Sequence, residues 1–94
     1  MKQKVLFEED FVIEETLKFL IQLGELFEKA EQELNFEREQ AIYIVAKNFL
    51  EKNNITIEEI EKAIDNEIYR TKFDEIDAIV LLVTYMKWKN KTAK

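Results

Sequence analysis

Ala78-Ile79-Val80-Leu81-Leu82-Val83 decides the fold, because six successive apolar positions fit either a buried strand or a helix enclosed on most of its sides. Ile79, Val80 and Val83 are β-branched and suit a strand. A single strand has nothing to pair with in the rest of the chain, so the segment is read as the core of a helix. Six apolar residues point in every direction around a helix axis, so this element is either wrapped by other helices or presents apolar surface to a partner.

Working back from that segment, Asp74 marks the expected start of the same helix, with Asp77 in its first turn, where the dipole favours a carboxylate. Arg70, Thr71 and Lys72 read as a connector. Upstream, Thr56 and Glu59 have the spacing of a capping box, and Ile55 with Ile60 that of a hydrophobic staple. They predict a helix to about Tyr69 that buries Ile57, Ile60, Ile64 and Ile68 and exposes Glu58, Glu59, Glu61, Asp65 and Glu67. Asn35 is a candidate N-cap for a helix from Phe36 to Lys52, with Ile42, Val45, Ala46 and Phe49 on its apolar face and Tyr43 and Leu50 beside it.

The first helix is expected from about Glu8 to Leu34. Ile13, Leu17, Leu20, Phe27 and Leu34 form one apolar stripe, and Val12, Phe19, Leu23, Leu26 and Ala30 a second beside it. Glu14 with Lys18 and Glu25 with Lys29 have the spacing of helix-stabilising ion pairs. Gly24, the sole glycine, lies inside this helix, where it costs about 1 kcal/mol relative to alanine. Close approach of a neighbouring helix explains it; a kink is the alternative.

The expected architecture is all-α, a compact four-helix, bundle-like single domain spanning 1–94, because short connections favour antiparallel neighbours. Residues 87–94 form a short basic tail. Its lysines at 87, 89, 91 and 94 leave ten basic against twenty acidic residues in positions 1–86, so a body of net charge −10 carries a +4 end.

Composition excludes much chemistry. The 94 residues contain no Cys, His, Pro or Ser, so disulfides, thiolate and serine nucleophiles, imidazole bases and zinc-finger spacings are all absent. A carrier protein bearing phosphopantetheine on serine is excluded too. One glycine cannot build a phosphate-binding loop. No apolar run approaches the roughly 20 residues of a membrane span, and Val5–Phe7 is too short for a signal peptide, so a cytoplasmic protein is expected.

The carboxylate clusters Glu8-Glu9-Asp10 and Asp74-Glu75-Asp77 are explained by helix N-termini rather than by metal, and no cofactor or metal is expected. A helix-turn-helix across Asn53–Thr56 fails because its recognition helix would carry five carboxylates against Lys62 and repel DNA. What remains is apolar surface. Phe11, Phe19, Phe27, Leu81, Leu82, Tyr85 and Trp88 either complete one core or leave a face for a second copy or another protein.

The sequence thus points to a non-enzymatic, acidic protein-interaction module, a regulator or adaptor whose expected partner is another protein or a second copy as a homodimer, anchored by Leu81, Tyr85 and Trp88. The alternative is a phage or mobile-element anti-defence inhibitor. It would occupy a host protein's basic nucleic-acid-binding surface through Glu58, Glu59, Glu61, Asp65 and Glu67.

Overall fold

The computed structural model describes the backbone of residues 2–92 and the side chains of residues 12–91. Within that range the chain forms α1 (Lys2–Gln32), α2 (Phe36–Lys52), α3 (Ile57–Asp65), α4 (Glu67–Lys72) and α5 (Ala78–Thr92), with no strand among the described residues. The Ala78–Val83 run is helical, and the architecture is the all-α, bundle-like one expected. The 31 residues of α1, at about 1.5 Å each, account for the 48 Å long axis of a 48 × 30 × 17 Å body.

The helix ends follow local chemistry. Asn35 caps α2 by accepting the Arg38 N–H at 3.1 Å. At α3 the capping box is complete: Glu59 N–H donates to Thr56 Oγ1 at 3.1 Å, and Thr56 N–H donates to the Glu59 carboxylate at 2.8 Å. α1 and α2 both terminate in a Schellman arrangement, closed by Asn35 N–H to the Ala30 carbonyl and by Ile55 N–H to the Leu50 carbonyl. Each requires a left-handed residue after the helix. Asn54 serves α2 and Leu34 serves α1, both at φ 57°.

Among the described residues the helices number five rather than four because the third expected helix breaks at Asn66. That residue adopts an extended backbone (φ −77°, ψ 122°), and its side chain accepts the Ile68 N–H at 2.8 Å, capping α4. An asparagine satisfies a free helix-start donor better than it supports a helix interior, so the break wins over continuation. The rotation it introduces turns Ile68 out to solvent and buries Tyr69 instead, which stacks on Phe73 at 6.4 Å. Arg70–Lys72 is consequently helical rather than a connector.

Other boundaries shift as well. Asp74–Asp77 forms a turn ahead of α5, so the helix starts at Ala78 and not at Asp74. Positions 8–10 fall inside α1 instead of in a first turn, while the side chains of Glu8, Glu9, Asp10 and Phe11 lie outside the described residues.

α1 packs most extensively against α5 and next against α2, and the core lies between them and α3. Leu17, Leu20 and Phe27 meet Ala46 and Leu50, Ile60 and Ile64, and Ile79, Leu82 and Met86. Leu26 and Val12 of the second α1 stripe, Leu34 of the first and Val45 of α2 are exposed. The buried arc is narrower than the apolar pattern suggested, because each helix has neighbours on one side only. Gly24 sits where α1 crosses the start of α5. A Cβ there would land on the Ala78 carbonyl group, with the carbonyl carbon 2.7 Å and Ile79 N 3.3 Å away, so close approach, not a kink, accounts for it.

Salt bridges tie the layers together at the rim. Lys72 reaches Glu14 at 2.7 Å from α4 to α1, and Lys87 reaches Glu61 at 2.7 Å from α5 to α3. Glu14 is thereby used across helices instead of with Lys18, which pairs with Glu15 at 3.1 Å.

Candidate functional site

Leu81, Tyr85 and Trp88 recur at spacings of four and three, so they share one side of α5. The structure holds them there in graded exposure. Leu81 and Tyr85 pack partly against the core, and Trp88 is 55% exposed.

Tyr85 is the hub of an aromatic group. Its ring lies 4.9 Å from Phe27 of α1, 5.7 Å from Tyr43 of α2 in an edge contact, and 5.8 Å from Trp88. Its hydroxyl meets Gln40 Oε1 at 3.4 Å. Lys89 Nζ stands 5.9 Å from the ring centres of Tyr43, Tyr85 and Trp88, a cation–π arrangement worth about 0.5–1 kcal/mol at a partly exposed position. Trp88 is therefore a large exposed ring buttressed from below and one side, which suits an anchor that loses little entropy on binding.

The Tyr85 hydroxyl is shifted to higher pKa, first by burial and then by the negative charge of Glu39 and by Tyr43. Lys87 is also raised, chiefly by its hydrogen bond to Glu61 and the attraction of that carboxylate, with Glu58 adding and desolvation opposing. Both groups hold their protons more tightly when folded. Their contribution to stability is complete below about pH 10 and is lost as pH rises through the folded values. The urea midpoint should fall as pH rises beyond about 10, with a shallower fall in Tyr85→Phe. An identical alkaline slope in the variant would show that Tyr85 is not part of the linkage.

The five acidic residues proposed as a second contact set are not one free surface. Glu59 is engaged in the capping box and Glu61 in the bridge to Lys87. Glu58 and Asp65 are exposed on α3, while Glu67 lies past the Asn66 break, on α4. Carboxylates do gather elsewhere. A shallow groove of about 570 Å³ between α1 and α5 is walled by Glu25, Glu28, Asp74, Glu75 and Asp77 around Val80. On the other side of Val80, a groove of about 410 Å³ includes Glu61, Asp65 and Arg70. No group of three carboxylates among the described residues converges closely enough to hold a metal ion.

Phe36 was missed as a surface residue by sequence reasoning. It is 68% exposed, and Leu34, two residues before it, is 70% exposed. One turn beyond Phe36 on α2 is Gln40, which accepts from the Tyr85 hydroxyl, and Trp88 is about one turn beyond Tyr85 on α5, so each exposed ring lies one turn from that contact.

No family model matches the chain, and neither a curated protein nor a solved structure matches it significantly. No helix among the described residues is long and apolar enough to cross a membrane.

Proposed function

We propose that this chain is a non-enzymatic protein-interaction module that docks a partner protein through the Leu81–Tyr85–Trp88 edge of α5. The observation that carries the reading is Trp88: a tryptophan more than half exposed, its ring set against Tyr85, which is in turn seated on Phe27 and Tyr43. Tryptophan and tyrosine dominate binding energy at interfaces because they bury large area with few rotors. The absence of His, Cys and Ser from the chain supports binding over catalysis.

A second reading is favoured by the carboxylates that wall the α1–α5 groove around Val80. In that reading the acidic face takes a basic surface, as an inhibitor of a nucleic-acid-binding protein would, and its contacts move from the α3 set to Glu25, Glu28, Asp74, Glu75 and Asp77.

One experiment separates them. A photo-reactive phenylalanine analogue is placed at position 88 or at position 77 in the full chain, and cells expressing it are irradiated. Discrete adducts at position 88, a crosslinked second copy included, with none at 77, are expected. Adducts confined to position 77 would replace the first reading by the second, and none at either position would remove both. Trp88→Ala is the clean companion variant, because Tyr85 also touches the core and its removal would mix folding with binding.

A further inference from the structure

We infer that the edge bearing Trp88 and Phe36 binds a second copy of this chain, related by a two-fold axis beside the Tyr85–Gln40 contact. This rests on the interaction-module reading and names its partner.

Two exposed rings, each one turn from a shared contact, can serve an isologous interface, in which each residue pair occurs twice. Their surroundings differ in sign. Phe36 follows Glu33 of the preceding turn and is followed by Glu37 and Arg38 at the start of α2, a stretch with more acid than base, whereas Trp88 is followed by Lys89 and Lys91 in the last turns of α5. A two-fold axis between the rings sets Trp88 and Lys91 of one copy against Phe36 and Glu37 of the other, in both directions. With a net charge of −6, two copies repel over most of their surfaces. Self-association therefore requires an edge where opposite charges meet, and this edge carries both signs.

Leu34 adds an independent observation. The left-handed conformation it adopts costs a residue with a side chain about 1–2 kcal/mol and is the usual place for glycine or asparagine. At the equivalent end of α2 the chain uses Asn54. Placing a leucine in that conformation, 70% exposed and two residues from Phe36, extends the apolar edge at a cost to the monomer.

The test is absolute molar mass by light scattering of the full chain across a concentration series, with circular dichroism as a check on folding. The expected mass is twice 11.3 kDa at high concentration, falling towards the monomer on dilution. Trp88→Ala and Phe36→Ala should each weaken dimerisation about a hundredfold, since each loss is felt twice. Glu37→Lys or Lys91→Glu alone should weaken it about tenfold, and the two combined should restore it to within about threefold of the original. A monomer at every concentration, a dimer indifferent to these four changes, or a double charge swap no tighter than its parents would each overturn the inference. None of those outcomes touches the crosslink at position 88, which decides separately whether the edge meets any protein at all.

Discussion

Gly24→Ala should lower the unfolding free energy by about 1–3 kcal/mol, although the same change on an open helix would raise it by about 1 kcal/mol. The sign reverses because the new methyl group would meet the backbone of Ala78 and not a side chain able to rotate away. Relief requires α5 to move off α1 at its first turn, and that displacement loosens Ile79 and Leu82, both of which have no exposed surface. Gly24→Val should be worse than Gly24→Ala, since it adds volume and a β-branched side chain at the same point. Urea unfolding of the three proteins measures this directly. A stabilised Gly24→Ala would mean that the two helices cross further apart than the structure has them.

Phe27→Ala should have the largest effect of any single truncation, about 3–5 kcal/mol. A chain of 94 residues has a total stability of about 5–14 kcal/mol, so this change removes a large share of it. Phe27 is 1% exposed in the middle of the core, and the space it leaves is bordered by helices held elsewhere by Leu17, Leu20 and Leu82, which limits collapse into the cavity. Phe27→Leu keeps most of the volume and should cost less than about 1.5 kcal/mol. The measurement is again the urea midpoint, with an unchanged slope expected. A loss under about 1 kcal/mol for Phe27→Ala would place the ring outside the core. Phe27 also carries Tyr85, so the alanine variant should redden and broaden the emission of Trp88, the chain's single tryptophan, even where the fold survives.

Much of the fold was legible because local chemistry and tertiary packing agree at the helix starts. Thr56 with Glu59 and Asn35 with the Arg38 N–H cap helices at the positions their spacing implies. The Ala78–Val83 run is helical as expected but only half enclosed, with Ile79, Leu82 and Val83 buried and Val80 exposed. Asn66 was not legible, because Ile57, Ile60, Ile64 and Ile68 continue a helical apolar period across it and periodicity outweighs one capping residue when no neighbour is known. The structure resolves the conflict through Tyr69, whose burial needs the rotation that the break supplies.

The edge proposed for binding was legible in part. Spacing alone sets Leu81, Tyr85 and Trp88 on one side of α5, but which of them faces solvent depends on where α1 and α2 lie. Phe36 and Leu34 were invisible for the same reason, since an apolar residue at a helix end carries no mark of the side on which its neighbours pack. The acidic residues of α3 show the converse. Five carboxylates in one stretch read as a single face, yet two of them are engaged within the molecule by a cap and by Lys87.

The contact of Gly24 with Ala78 joins positions 54 apart in the chain. The hairpin of α1 and α2 can form from nearby residues, but Leu17, Leu20 and Phe27 also depend on Ile79, Leu82 and Met86 for cover. During synthesis the first two helices leave the ribosome well before the segment that seals them, so the nascent chain carries an uncovered apolar groove for the time taken to add α3, α4 and the turn at Asp74–Asp77. The core is complete only once α5 has been added, and a chain stopped anywhere before Ala78 should leave Leu17, Leu20 and Phe27 without the cover of Ile79, Leu82 and Met86.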